Sequence, residues 1–209
     1  PIEKKPLYNF LPGSKTFSVA CAGCNFRCSF CQNWEISQVR NHAENAFSED
    51  ELSAQDLVQE ALRNGCQSIS YTYTEPTIFF EYAYDAAKIA RGQGLRNIFV
   101  TNGYISEEPL RQIAYYLDAV NIDLKFFKEE SYRKLCGASL SAILRTIRLS
   151  KSLKLWVEIT TLIIPGVNDS REELSAIADF IAGVDVNIPW HVSRFHPSYQ
   201  FAHYPVTAE

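Results

Sequence analysis

The chain has 209 residues, 46% apolar and 21% charged, with six cysteines, a formal net charge of −4 and a pI near 5.6. That length and balance suffice for one sizeable core and suit a single domain spanning 1–209, while the acidic balance leaves no basic footprint for DNA or RNA. No apolar run approaches the roughly 20 residues of a membrane span, and residues 1–10 lack the basic-then-apolar order of a leader, so a cytoplasmic protein with no membrane partner is expected.

In chain order, a β-branched and aromatic run at 17–20 predicts a first strand. Ser53-Ala-Gln-Asp56 opens a helix over 53–64 through a hydroxyl and a carboxylate at capping spacing, and Gly65 stops it. A strand at 67–73 follows, then a helix over 77–91 ending near Gly92 and Gly94, and a strand at 95–101. Next come a helix over 106–117, a strand at 119–124, a turn at 129–135 and a helix over 139–153. The last elements are a strand at 155–162, a helix over 170–182 opened by Ser170-Arg-Glu-Glu173 and stopped by Gly183, and a strand at 190–195. Strand, helix and strand in alternation is the rhythm of a parallel sheet with right-handed crossovers. Six such steps favour an α/β fold with a curved, partly closed barrel, the alternative being an open doubly wound sheet. The chain has no methionine, and 204–209 reads as the lead-in to another helix, as a fragment shortened at its C-terminal end, or a sequence lacking its methionines, would show.

Directly after the first strand stands Cys21-Ala-Gly-Cys24-Asn-Phe-Arg-Cys28-Ser-Phe-Cys31. Four cysteines so close together in a reducing compartment read as metal ligands rather than disulfides. Three thiolates on an irregular loop can hold several irons and leave one iron free of protein sulfur. A structural zinc site or a plain electron-transfer cluster is the competing reading, although zinc normally shows a second paired motif and none follows downstream. Cys21 reads as a strand-end core residue, and Cys66 and Cys136 as buried small apolar residues.

Unusual residues follow each later strand at its C-terminal end, the face where barrels bind ligands. They are Tyr73-Thr74-Glu75-Pro76, Thr101-Asn102-Gly103, Asn121-Ile-Asp123-Leu-Lys125, Glu158 to Asp169, and Trp190 to Pro197. Asp123 and Lys125, two apart on a strand, share one face, which is costly in a buried place unless a ligand or partner satisfies them. A surface ion pair is the alternative.

These motifs resemble the radical S-adenosylmethionine superfamily over nearly the whole chain. Within it the likeness is to pyruvate formate-lyase activating enzymes and to the activase-like enzymes associated with Memo-type proteins. It is carried by Phe10-Leu-Pro-Gly-Ser14, by Gly23 to Trp34 including CX3CX2C, and by Tyr71-Thr-Tyr-Thr-Glu-Pro-Thr77. The resemblance implies a partial parallel (β/α)6 barrel in which Cys24, Cys28 and Cys31 bind a [4Fe-4S] cluster that reductively cleaves S-adenosylmethionine. It implies that Phe30 lies against the adenine with Ile163 and Ile164, and that Thr74 and Glu75 meet the methionine amino group. Thr101 and Asn102 would lie beside the ribose and carboxylate. Lys125 would pair with the carboxylate while Asp123 orients that region, and His196 would stand near the cofactor. The catalytic set is then Cys24, Cys28, Cys31, Lys125 and His196.

Three positions depart from the family pattern. Tyr73 and Thr74 replace two glycines, Val100 replaces an aspartate, and Thr161 stands about where pyruvate formate-lyase activase carries a substrate-side arginine. The resemblance further implies a glycyl-radical-type protein partner and an external low-potential electron donor. A small-molecule substrate or a methylation-type reaction is the runner-up, and a non-catalytic iron–sulfur carrier or zinc-stabilised interaction module is the alternative of another class. His42, His191 and His203 carry no such implication.

Overall fold

The computed structural model describes residues 1–39 and 52–208; His42 lies outside them. Six parallel strands form one sheet in chain order: β1 (Thr16–Val19), β2 (Ser68–Tyr71), β3 (Arg96–Thr101), β4 (Ala119–Asp123), β5 (Trp156–Ile163) and β6 (Trp190–Arg194). Every predicted strand is present within two residues of its expected ends. The sheet curves without closing, since β1 and β6 are its two edges. The helices are α1 (Trp34–Ser37), α2 (Ala54–Arg63), α3 (Phe80–Gly92), α4 (Glu107–Ala114), α5 (Glu129–Ser131), α6 (Leu140–Ser152) and α7 (Arg171–Val184). Among the described residues no helix is long and apolar enough to cross a membrane.

The capping residues act as the sequence implies. Ser53 Oγ accepts from Asp56 N at 3.1 Å and Ser170 Oγ from Glu173 N at 3.2 Å, each satisfying an amide that the first turn leaves free. Pro76 opens a 3₁₀ turn (Pro76–Phe79) that leads into α3, with Glu75 as its cap. Gly183 does not stop α7, which runs on to Val184. Asp185 N still reaches Ile181 O at 3.0 Å, and the Asp185 carboxylate is held by Lys151 at 2.9 Å. The expected turn at 129–135 is α5 followed by a π turn (Tyr132–Cys136), which Gly137 ends in the left-handed region at φ +71°.

Period-two alternation divides each strand between two environments. Ile69, Phe99, Val120, Ile122, Val157 and Ile159 are buried in the main core with the helices. The opposite face carries buried polar residues, including Ser68, Ser70, Asn121, Glu158 and Thr160. The N-terminal segment fills part of that inner space: Ile2 and Leu7 are fully buried against Ile98 of β3 and Ala119 of β4. Each such burial contributes about 1.5–3 kcal/mol. Polar bonds fix the segment in register. Asn121 Nδ2 donates to Pro6 O at 2.8 Å, and the Glu158 carboxylate accepts from the Tyr8 and Asn9 amides, both at 3.1 Å. Glu158 also accepts from Trp156 Nε1 at 2.9 Å and lies 2.5 Å from His191 Nε2. His191, which sequence left without a role, is thus part of the anchor of this plug.

Candidate functional site

A cavity of about 370 Å³ is lined by residues from the cysteine loop, from the C-terminal ends of the strands and from the N-terminal plug. Cys24, Cys28 and Cys31 all line it, as do Phe30, Thr74, Thr101, Asn102, Asp123 and Lys125. Nine of the twelve residues singled out from sequence therefore meet in one place, drawn from the ends of β1 to β4.

Burial pushes the Cys24 thiol up to about 12, against the hydrogen bond it accepts from Phe26 N at 3.4 Å. Cys31 is raised by burial too, partly offset by Ser37, whose Oγ lies 3.2 Å from its sulfur. The Cys28 thiol is held well above its ordinary value, first by a side-chain hydrogen bond with Cys136 and then by burial. Such thiols stay protonated at neutral pH until a metal displaces the protons.

The loop is tied down on both sides of Cys28: Arg27 N donates to Cys136 O at 2.9 Å and Ser29 N to Leu135 O at 2.9 Å. Phe30 is 3% exposed and meets Phe126 edge-on with centroids 5.6 Å apart, which leaves it a fixed apolar wall. Asn102 Nδ2 donates to Asn25 Oδ1 at 2.7 Å and lies 3.8 Å from Cys24 Sγ, joining the third strand end to the cysteine loop. Lys125 Nζ lies 2.7 Å from Asp123 Oδ2, with the lysine side chain 15% exposed. Burial draws the ammonium pKa down, but the Asp123 carboxylate outweighs it and holds the value well above that of a free lysine. This is a sheltered cationic group on a cavity wall rather than a surface pair.

Three of the expected site residues lie outside the cavity lining. Glu75 is fully buried and does not line the cavity. Its carboxylate accepts from Thr77 N and Oγ1, from Thr101 Oγ1 at 2.7 Å and from Asn102 N at 2.8 Å, so its side chain sets the Thr101–Asn102 turn from behind. Ile163 also lies outside the lining, because the β5 face shared with Asp123 carries Glu158, Thr160 and Leu162; Leu162 is the cavity residue. His196 is exposed and outside the lining. The same alternation turns Thr161 away: its hydroxyl donates to Leu124 O at 2.8 Å and accepts from Trp190 Nε1 at 2.9 Å. It does not line the cavity, and Thr160 faces the cavity instead.

Tyr73, where the family pattern has glycine, adopts φ +68°. A non-glycine residue there costs about 1–2 kcal/mol, so the glycine backbone conformation is kept with a side chain on it. Asn33 Nδ2 bonds the Tyr73 carbonyl at 2.8 Å, and the Lys5 ammonium sits 3.7 Å from the ring centroid, both of which offset that strain. Thr74 Oγ1 donates to Cys21 O at 2.7 Å. Cys21 itself is exposed and outside the cavity, which corrects its reading as a core residue.

Sequence reasoning missed Ser37, Thr160, Leu162, Ser193 and the plug residues Lys4 and Pro6 as cavity residues. For Thr160 and Leu162 the signal was available, since alternation from Glu158 puts them on one face. Nothing in the sequence marks Lys4 or Pro6.

Among the described residues no three His, Cys, Asp or Glu side chains stand close enough to share one metal ion. A four-iron cluster asks instead for one thiolate per iron from sulfurs spaced around it. Three free thiols on one cavity wall, with Cys21 turned to solvent, suit that demand and leave one iron without a protein sulfur.

A parallel partial barrel with a three-thiol loop after its first strand and polar groups at the following strand ends defines a barrel with a polar, thiol-lined cavity at the C-terminal ends of its strands. The family model of the Radical SAM superfamily matches residues 19–181, and the chain belongs to that superfamily. Its members use a [4Fe-4S] cluster and S-adenosylmethionine. An uncharacterised protein of Methanocaldococcus jannaschii is 44% identical over 208 residues, 99% of this chain and 61% of its own length. A pyruvate formate-lyase-activating enzyme of Clostridium pasteurianum is 24% identical over 83% of this chain and 71% of its own. Among solved structures, Streptococcus suis SuiB bound to S-adenosylmethionine has a TM-score of 0.71 at 15% identity, covering 100% of this chain and 47% of that one. SuiB bound to the precursor peptide SuiA has a TM-score of 0.68 at 16% identity, over 96% and 43%. These likenesses show the shared fold.

Proposed function

We propose that this chain is the core of a radical S-adenosylmethionine enzyme of activating-enzyme type, in which Cys24, Cys28 and Cys31 hold the cluster and hydrogen is abstracted from a glycine of a partner polypeptide. The observation that carries the reading is the convergence of three free thiols, an aromatic wall and a sheltered ammonium in one cavity. The chemistry that the bound cluster supplies is one-electron reductive cleavage of S-adenosylmethionine into methionine and a 5′-deoxyadenosyl radical, the electron coming from an external low-potential donor.

The chain's own residues do the rest. Lys125, oriented by Asp123, offers its charge to the carboxylate of the cofactor. Phe30 gives the adenine an apolar face, while Thr74 offers polar atoms to the methionine amino group and Thr101 and Asn102 offer theirs beside the ribose and carboxylate. Glu75 acts at one remove by holding Thr101 and Asn102 in place. Water exclusion matters because a primary carbon radical attacks whatever is nearest, and the plug beneath the cavity supplies part of that exclusion. The unclosed side of the sheet favours a polypeptide substrate, as do the activating-enzyme relatives and the peptide-bound neighbour.

Anaerobic reconstitution tests the proposal: about four irons per chain and dithionite-dependent formation of 5′-deoxyadenosine are expected. Zinc as the sole metal, or a reduced cluster that leaves S-adenosylmethionine intact, would refute it. Deuterium carried into 5′-deoxyadenosine from a glycine-labelled polypeptide supports the substrate class, and deuterium carried from a small molecule instead replaces it.

A further inference from the structure

The segment after β6 makes contacts that the cavity itself does not require. Residues 195–207 form a loop whose ends meet: Phe195 N donates to Thr207 Oγ1 at 2.9 Å, and that hydroxyl donates to Ile163 O at 2.5 Å. Compact loops closed at their base in this way are frequently functional. The tip is a 3₁₀ turn (Tyr199–Phe201) lying on the cysteine loop. Gln200 N donates to Ser29 O at 3.1 Å and Ser198 Oγ to Cys31 O at 3.3 Å, so the carbonyls on both sides of Phe30 are held from one turn. The buried Phe201 ring stands 5.9 Å from the Phe30 ring and is backed by Tyr204, stacked on it with centroids 4.1 Å apart. Tyr199 opens the turn at φ +51° and stacks on Trp34 at 5.4 Å. A tyrosine in the left-handed region is strained, and it persists where the surrounding contacts over-determine its place.

We propose that Phe201 is a positioning residue for Phe30: packed on that ring, while its own turn holds the Ser29 and Cys31 carbonyls, it fixes the apolar wall that receives the adenine and so raises the affinity for S-adenosylmethionine. The inference rests on the radical S-adenosylmethionine reading and deepens it. A side chain that is still mobile must be ordered when a ligand arrives, and ordering it beforehand removes that cost from the binding step. Phe126 meets Phe30 from the end of β4 and Phe201 meets it from the loop after β6, so two strand ends with β5 between them set one ring jointly. The turn's hydrogen bonds go to backbone carbonyls and its ring goes to Phe30. Cluster assembly should therefore survive the loss of the Phe201 ring, while cofactor binding weakens. The effect is reciprocal: if Phe201 favours the bound arrangement of Phe30, bound S-adenosylmethionine steadies the turn by the same factor.

The test is equilibrium binding of S-adenosylmethionine to the anaerobically reconstituted protein, its cluster kept oxidised so that no cleavage occurs, on wild type, Phe201→Ala and Phe201→Leu. The alanine protein should load iron like wild type and bind about fivefold more weakly, the scale of one lost aromatic contact. Leucine, which keeps most of the apolar bulk, should recover at least half of that loss. In wild type, saturating S-adenosylmethionine should slow hydrogen exchange at the Gln200 amide about fivefold. Less than about a twofold change in alanine binding, or a leucine protein no better than alanine, would overturn the proposal. So would a loss of iron that parallels the loss of binding, since Phe201 would then hold the loop together rather than set the ring. If the alanine protein does not fold, the wild-type exchange decides: slowed at Gln200 the proposal stands, and unslowed it falls. If wild type itself loads no cluster, the radical S-adenosylmethionine reading falls and takes this inference with it. A normal wild-type cluster and cofactor affinity beside unaffected variants sinks this inference alone.

Discussion

Replacing Glu158 by alanine tests whether the N-terminal segment is a structural floor or a loose appendage. The fully buried carboxylate receives two backbone amides from Tyr8 and Asn9, the Trp156 indole and the His191 ring. Hydrogen bonds to a charged group contribute roughly 1.5–3 kcal/mol each, but Tyr8 and Trp156 are partly exposed and water can replace some of theirs. The net loss should therefore be about 3–4 kcal/mol, a large share of the 5–15 kcal/mol typical of a folded domain. Glu158→Gln keeps an acceptor oxygen and should lose about half as much, ~1–2 kcal/mol. Urea unfolding gives the magnitudes, and hydrogen exchange at the Tyr8 and Asn9 amides reports the plug itself. Faster exchange at those two amides is expected in the alanine protein, because Ile2 and Leu7 would no longer be held on Ile98 and Ala119. A loss below about 1 kcal/mol with unchanged exchange would refute the reasoning.

Other substitutions probe the site and its frame. Cys28→Ala should abolish the assembled cluster, as read by iron content and visible absorbance, whereas Cys21→Ala, at an exposed residue outside the cavity, should leave both near wild type; equal losses would mean that the trio is wrongly assigned. Gly103→Ala should cost about 2–5 kcal/mol in urea unfolding, because φ is +76° there and a Cβ would lie 2.9 Å from Ile122 Cγ2. Asp185 is lowered from 3.8 to about 2, first by the Asn187 amide and then by Lys151. A depressed carboxylate contributes stability above its unfolded value and loses it as pH falls toward its folded one. Stability should thus drop between about pH 4 and pH 2, and Asp185→Asn should flatten that limb of a pH-dependent thermal melt.

Local chemistry was legible without the fold. Runs of β-branched residues between capped helices marked all six strands, and Ser53 and Ser170 cap as their spacing implies, because these signals act over a few neighbouring residues. The spacing of Cys24, Cys28 and Cys31, and the pairing of Asp123 with Lys125, carried the chemistry for the same reason. Alternation groups Glu158, Thr160 and Leu162 on one strand face, but which face looks into the cavity, and every long-range contact, was decided only by the tertiary structure. A slip of one residue turns a strand side chain to the opposite side, which is why Leu162 and Thr160 reach the cavity where Ile163 and Thr161 do not. Glu75 sits where motif spacing implied, yet its carboxylate turns inward because the Thr101 hydroxyl and the Asn102 amide offer it buried donors. The plug bonded to Glu158 about 150 residues away, and the Leu135 and Cys136 carbonyls bonded to the amides flanking Cys28, depend on which surfaces the curved sheet brings together, and no local pattern encodes that meeting.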